Sequence, residues 1–359
     1  MRQVVVLFLV TRAALLITVL ATVANLPPAR CPICVDISAN PLLAALAHWD
    51  AEAYVDVATV GYEGAAHATN AAYSPLFPLL MRALGTLFGG STDALIVGGV
   101  LVANAALVVG LVALTRLAAT RVDGPSAMRA ATYVLVFPTT IFLSAPYAES
   151  LFIAFAILSA LEAQRARWWR SGAYAALAAL TRPFGALALL PLAFAAWRAR
   201  RTGGAAALAP VALAPLAFLG WSAYLWAISG DPLQVVHVYA AWGSAPRSPL
   251  GAIADLFDPA VYGFPWVVLG LFALFIGLAA ASWRVAGPEF GAYSIAMLLV
   301  VASSGSLTSS MRYELAIFPA FIVLGVVTRR PALRFTWLAA SAALALLFTA
   351  MYALQFWIG

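Results

Sequence analysis

Runs of apolar residues long enough to cross a hydrocarbon core, for which about 20 suffice, recur along this chain of 359 residues. A soluble protein of this length could fold as two domains. Composition excludes that: 64% of the residues are hydrophobic, 9% are charged, and the mean hydropathy is +0.96. The chain reads as an all-α, polytopic transmembrane bundle. The runs predict about nine full spans, near 4–24, 93–117, 129–145, 147–164, 205–228, 263–283, 290–308, 313–328 and 335–356. Residues 171–197, "SGAYAALAALTRPFGALALLPLAFAAW", are too short for two crossings at about 1.5 Å per residue. Pro183 also interrupts them, because proline lacks the helical N–H. They predict two half-length helices meeting at Thr181-Arg182-Pro183. The first run, "VVVLFLVTRAALLITVLATVA", carries Arg12 and no A-x-A cleavage pattern. It reads as a retained span rather than a secretory leader.

The formal net charge is +6, and every cation is arginine. With the N-terminus inside, fourteen of the twenty arginines fall in cytoplasmic connections, which satisfies the positive-inside rule. Arg30, Arg82, Arg182, Arg247 and Arg312 fall outside or in outward turns, and Arg12 lies within a span. The basic excess is therefore topology, and no nucleic-acid partner is expected. Eleven of the fourteen acids fall outside. The cation rule does not require that, so the bias points to chemistry on the outer face. Two outer segments are long, 25–92 and 229–262, and the rest is short connection. Residues 1–359 therefore read as one integral membrane domain. No internal repeat, Walker motif or GxGxxG after a strand is evident, which argues against a nucleotide-driven pump.

The segment "HWDAEAYVDVATVGYEG", residues 48–64, gathers Asp50, Glu52, Asp56 and Glu63. Leu42, Leu46, Trp49, Ala53, Val57 and Val60 recur at helical spacing. They predict one amphipathic helix over 40–62 at the outer interface, anchored by Trp49. Asp50 and Tyr54, at i and i+4, share a face. Asp50 and Asp56 flank the apolar stripe on opposite sides, so periodicity does not choose between them. Either the acids solvate an exposed loop or one of them serves a cavity, where a carboxylate is costly and functional.

Other candidates lie further along. Arg182 sits in the broken helix, and irregular backbone at depth is tolerated only around cavities. It can fork onto a phosphate or cap a half-helix. Arg312 is a second such cation, or it snorkels to the headgroups. Glu149 binds sugar, partners Arg182 or complements a helix N-terminus. His237 suits a phosphate or a sugar hydroxyl, while Tyr239 and Trp242 stack on sugar or join the aromatic belt. His48, Asp50 and Glu52 do not converge on one helix face, so no dedicated metal site is expected. Mg²⁺ or Mn²⁺ on one carboxylate plus a phosphate is compatible. "CPIC" lacks a second ligand pair for zinc. In an oxidising compartment Cys31 and Cys34 would form a local disulfide.

The segment at 48–64 is followed by "AAYSPLFPLL", then "FPTTIFLSAPYAESLF", "ALTRPFG", "GDPLQVVHVYAAWG" and "SSMRYELAIFP". This ordered set resembles the PIG-V family of membrane mannosyltransferases and its bacterial homologues, within the GT-C superfamily. The resemblance implies a GT-C bundle, a polyprenyl-phosphate mannose donor, a glycolipid or glycan acceptor and surrounding membrane lipids. It also implies an acidic active-site residue in the first outer loop, which falls on Asp50. Trp49, Glu52, Tyr54, Tyr73, Glu149, Arg182, His237 and Arg312 lie in the matching blocks and are the candidates for substrate contact. Such a donor carries its own leaving group, so no nucleotide pocket is needed. The expected reaction is hexose transfer to a hydroxyl on the outer face, inverting, with Asp50 as general base. A secondary transporter or flippase of a lipid or polar solute competes, but the repeats common in transporters are not seen. A non-catalytic partner subunit is the third class.

Overall fold

The computed structural model describes residues 2–28, 35–63, 65–203, 207–239, 249–257, 264–303 and 306–359. Cys31, Cys34, Trp242 and Arg247 fall outside them, and so do the expectations placed on them. The chain begins with α1 (Arg2–Asn25), α2 (Pro41–Leu46), α3 (Asp50–Val60), α4 (Leu76–Leu87) and α5 (Thr92–Ala118). Next come α6 (Gly124–Leu135), a 3-10 turn at Thr140–Leu143, α7 (Glu149–Gln164) and α8 (Trp168–Ala179). A second turn, Pro183–Ala188, leads to α9 (Leu189–Gly203), α10 (Leu213–Ser229), α11 (Gln234–His237) and α12 (Pro249–Asp255). The rest is α13 (Pro265–Val285), α14 (Pro288–Ser303), α15 (Ser310–Glu314), α16 (Phe318–Val327) and α17 (Pro331–Ala353).

Five of the nine expected spans form helices long and apolar enough to cross a membrane: α1, α5, Ala209–Ser229 ending in α10, α13 and α17. The other four differ from the expectation. α7 and α14 have 16 residues each, about 24 Å at 1.5 Å per residue. The run at 129–145 is not one span, because α6 stops at Leu135 before Pro138. Proline removes a helical N–H and pushes its predecessor out of the α region. For the same reason the run at 313–328 is split into α15 and α16 ahead of Pro319. α1 turns an apolar face outward: Leu9 and Ile17 are 58% and 64% exposed, an apolar surface that water would not tolerate at this extent.

The centre is the pair α5 and α7. They approach closely, and a Cβ added at Gly110 would meet Ala154 at 3.3 Å. Helix contact in lipid relies on such small residues. One core joins α6, α13, α14 and α16 to the ends of α5 and α7 that carry Leu117 and Leu161. A second joins α3, α4 and α17 to the opposite ends, near Leu95 and Leu151.

Between α6 and α7 the backbone is irregular, and its polar groups must be satisfied from within. Arg12 reaches across from α1. It donates to Leu135 O at 2.8 Å, Thr140 O at 3.3 Å, Thr140 Oγ1 at 3.0 Å and Ser144 Oγ at 2.9 Å. Asn104 of α5 donates to Ser144 O at 3.1 Å, and Thr139 donates to Met311 O at 2.9 Å. These bonds fix the approach to Tyr147 and Glu149.

Candidate active site

The loop segment does not form one interfacial helix. It breaks at residues 47–49, and Trp49 takes a positive φ of 60°, which costs about 1–3 kcal/mol in a non-glycine residue. Surrounding groups hold it there. The Tyr147 hydroxyl donates to His48 O at 2.8 Å, and Tyr352 donates to Leu46 O and His48 O at 3.1 and 3.3 Å. The kink makes Asp50 the first residue of α3. The buried side of α3 is Ala51, Tyr54, Val55, Val57 and Ala58, whereas Val60 is 46% exposed. The helix packs into the core rather than lying on the interface, so the stripe turns towards Tyr54. Asp50 and Tyr54 do lie in one helix, one turn apart.

Arg182 is placed by a second break. α8 ends at Ala179, Arg182 is extended at φ −150° and ψ 147°, and Pro183 starts the next turn. The residue before a proline is driven to that region. Only glycine fits at 185, because a Cβ there would collide with Ala178 O. Leu76 N–H at the start of α4 donates to Leu180 O at 2.9 Å, which ties the break to the segment that follows α3.

These breaks bring four charges together. Arg312 Nη1 donates to Asp50 Oδ2 at 2.6 Å. Its Nε lies 3.2 Å from Glu149 Oε1, close enough for ion pairing, although that N–H is not aimed for a hydrogen bond. Arg182 Nη2 pairs with the same Glu149 oxygen. The result is a chain of alternating sign, Asp50–Arg312–Glu149–Arg182. Its four members are contributed by α3, α15, α7 and the break after α8. Arg182, Arg312 and Glu149 are buried, and only Asp50, at 22% side-chain exposure, opens outward. Burial of unlike charges is tolerable when each has a partner.

Aromatic rings enclose the chain. The Arg312 guanidinium lies 5.3 Å from the rings of Tyr313 and Trp357, 5.4 Å from Phe142 and 5.7 Å from Tyr147. Arg182 lies 5.6 Å from Phe184 and Tyr313. A cation is attracted to ring faces at these distances. The Tyr73 hydroxyl donates to Asp50 Oδ1 at 3.3 Å, and its ring packs edge-on to Tyr54 at 5.0 Å. Trp49 stacks edge-on to Trp357 at 5.4 Å instead of anchoring in an interface. Glu149 Oε2 and Trp49 Nε1 are buried without a hydrogen-bond partner among the described residues.

Of the expected residues, Asp50, Tyr54, Tyr73, Glu149, Arg182 and Arg312 come together, with Trp49 in the wall beside them. Arg312 does not snorkel; it is 4% exposed. Two residues go elsewhere. Glu52 accepts from Trp49 N–H at 3.3 Å and so satisfies a free donor at the start of α3. Burial raises its carboxyl to about 7. His237 is 60% exposed and pairs with Asp231 at 2.8 Å. That carboxyl lies below its ordinary range, held first by Leu233 N–H and then by His237. Tyr147, Phe142, Tyr313 and Trp357 complete the site around Arg312 without a sequence signal of their own. Nothing local to the sequence marks an aromatic as the cage of a distant arginine. Among the described residues no three metal-ligating side chains converge.

The profile described as Mannosyltransferase (PIG-V) matches residues 1–199, more than half of the 359. Over 169 residues the chain is 36% identical to GPI alpha-1,6-mannosyltransferase 2 of Rattus norvegicus, covering 44% of this chain and 33% of that protein. The Mus musculus protein of the same name is 36% identical over 157 residues, with 41% and 31% covered. The chain thus matches about a third of the length of these relatives. Among solved structures, ArnT from Cupriavidus metallidurans, bound to undecaprenyl phosphate, aligns with a TM-score of 0.59 at 14% identity, covering 94% of this chain and 62% of that one. That likeness concerns the fold, a multi-pass helical bundle of GT-C type. The chain belongs to the mannosyltransferase (PIG-V) family.

Proposed function

We propose that this protein is a membrane glycosyltransferase that moves mannose from a polyprenyl-phosphate donor to a hydroxyl of a glycolipid or glycan acceptor. The observation that carries this reading is the buried chain Asp50–Arg312–Glu149–Arg182, with only its acidic end open. The family membership supports the choice of reaction, and the undecaprenyl phosphate bound to ArnT supports a polyprenyl-phosphate donor. The reaction takes place on the outer face, with the N-terminus of the single 1–359 domain in the cytoplasm.

In this reading the acceptor oxygen attacks the anomeric carbon as the bond from that carbon to the phosphate oxygen breaks. Asp50 takes the hydroxyl proton, a contribution typically worth 10²–10⁴-fold. Attack opposite the phosphate inverts the anomeric centre. The departing polyprenyl phosphate gains a negative charge, which Arg182 and Arg312 offset. Preorganised cations stabilise developing charge without reorganising at the moment of reaction, and an arginine can fork onto two phosphate oxygens. Glu149 keeps the two guanidiniums side by side, and its free Oε2 accepts from a sugar hydroxyl. Tyr73 orients Asp50. Tyr54 packs beneath it, Trp49 offers its indole N–H, and Mg²⁺ or Mn²⁺ on one carboxylate plus the donor phosphate is compatible with each step.

The test uses membranes carrying the protein, labelled polyprenyl-phosphate mannose and a lipid extract. Asp50→Asn should lower transfer at least a hundredfold at unchanged protein level. Transfer at the wild-type rate would remove Asp50 from the role of base, and uptake of label without transfer would select a transporter instead.

A further inference from the structure

α7 links Glu149 to a second charged region about 24 Å away, given its 16 residues at 1.5 Å each. A cavity of about 720 Å³ lies there, lined by Arg116, Arg121, Arg165, Arg198 and Glu289 together with Trp168 and other residues. Four guanidiniums meet one lining carboxylate. Glu289 uses both oxygens, accepting from Arg121 at 2.7 Å and Arg198 at 2.9 Å. Glu162, outside the lining, pairs with Arg165 at 2.8 Å and Arg167 at 3.3 Å. Arg121 also lies 5.4 Å from the Phe290 ring. Arginines at the C-terminal ends of α5 and α7 complement the helix dipoles. That accounts for their presence at helix ends but not for their convergence with Arg198 on one concave space.

The surroundings indicate the source of an anion. Trp169 and Trp197, next in sequence to the lining residues Trp168 and Arg198, are 64% and 58% exposed, and exposed tryptophans sit at headgroup level. Arg200 stacks on Trp197 at 3.3 Å. Basic hollows between helix ends at this depth accept phosphate headgroups. We propose that this cavity binds the phosphate headgroup of an anionic phospholipid from the leaflet at the arginine-rich end of the bundle. Its guanidiniums take the phosphate oxygens, and the acyl chains lie along the adjoining apolar helix surface. The site is independent of the proposed sugar transfer.

The test is retention of phosphatidylglycerol against phosphatidylcholine by the purified full chain, measured by native mass spectrometry, with inorganic phosphate as competitor. Wild type should retain phosphatidylglycerol preferentially. Arg198→Gln should weaken it about fivefold, as should each further guanidinium removed. Ala195→Phe, which fills the space and keeps every charge, should weaken it as well. Arg330→Gln, at the same end but outside the lining, should leave it unchanged. The proposal is overturned by equal retention of the two lipids, by wild-type retention in Ala195→Phe, or by an equal loss in Arg330→Gln. Displacement by inorganic phosphate at equal concentration would also overturn it, by assigning the cavity to a soluble anion.

Discussion

At the Glu149 end of α7, Arg182 and Arg312 are 7% and 4% exposed, and each meets a carboxylate. At the Gln164 end, the side chains of Arg165 and Arg198 are 42% and 54% exposed, and arginines outnumber the acids around them. Solvation accounts for the difference. A buried ion without a counter-charge is severely destabilising, so the dry end alternates signs. Water and headgroups screen charges at the wet end, so an excess of one sign persists there. Arg12 shows a third solution. It is anchored by two backbone carbonyls and two hydroxyls rather than by an acid, which suits a structural tie better than a reactive centre.

The sharpest way to break this comparison is to remove a charge from the dry end. Asp50→Asn carries the largest expected effect on transfer, as described above. Glu149→Gln should cost about 3–5 kcal/mol of stability, the range for a buried pair broken on one side. Thermal unfolding in detergent would read this. Adding Arg182→Gln to Glu149→Gln should restore part of the loss, because Arg312 still keeps Asp50. If the double variant is no more stable than the single, alternation of charge is not what holds the chain together.

Arg12→Leu probes the third solution. It should cost about 1–3 kcal/mol, the penalty for leaving buried acceptors unpaired, while transfer per folded molecule falls less than in Asp50→Asn. An equal fall in transfer would place Arg12 in the chemistry. Tyr73→Phe removes only the hydroxyl on Asp50 and should cost about 0.5–1.5 kcal/mol, up to about tenfold in transfer rate. A change in kcat with KM unaltered is the expected pattern.

Glu52→Gln should have the smallest effect on transfer, because Glu52 lies outside the charge chain, and it reads out in stability instead. The folded carboxyl of Glu52 is raised from its ordinary value of 4.5 to about 7, so the native state binds the extra proton between those limits. Stability attributable to Glu52 is therefore fully present below about pH 4.5 and declines as pH rises towards 7. Glutamine keeps the capping acceptor and cannot ionise. The variant should unfold at a temperature less dependent on pH across that window and be more stable at pH 8. An unchanged slope would mean that Glu52 is not desolvated as described.

Part of this was legible from local features. The break at Arg182 follows from Pro183, and the shared face of Asp50 and Tyr54 follows from helical spacing. Trp49 shows where local reading fails. It fits an amphipathic stripe, yet the fold holds it at a positive φ through the hydroxyls of Tyr147 and Tyr352, residues about 100 and 300 positions away. Glu52 appears as one more acid in a cluster of four, and only its contact with Trp49 N–H separates it from Asp50. His237 gave a plausible ligand signal, but its nearest acid, six residues earlier, takes its side chain.

Sequence alone determined the solvent of this protein, the helical character of its segments and where prolines interrupt them, because hydropathy and backbone sterics act over a few residues. Tertiary structure decided which charges meet. Asp50 and Arg312 are 262 positions apart, and Glu149 is shared by two arginines from different segments. No short-range rule pairs such ions. Their meeting is set by how α3, α7 and α15 pack, and by the cost of burying a charge without a partner.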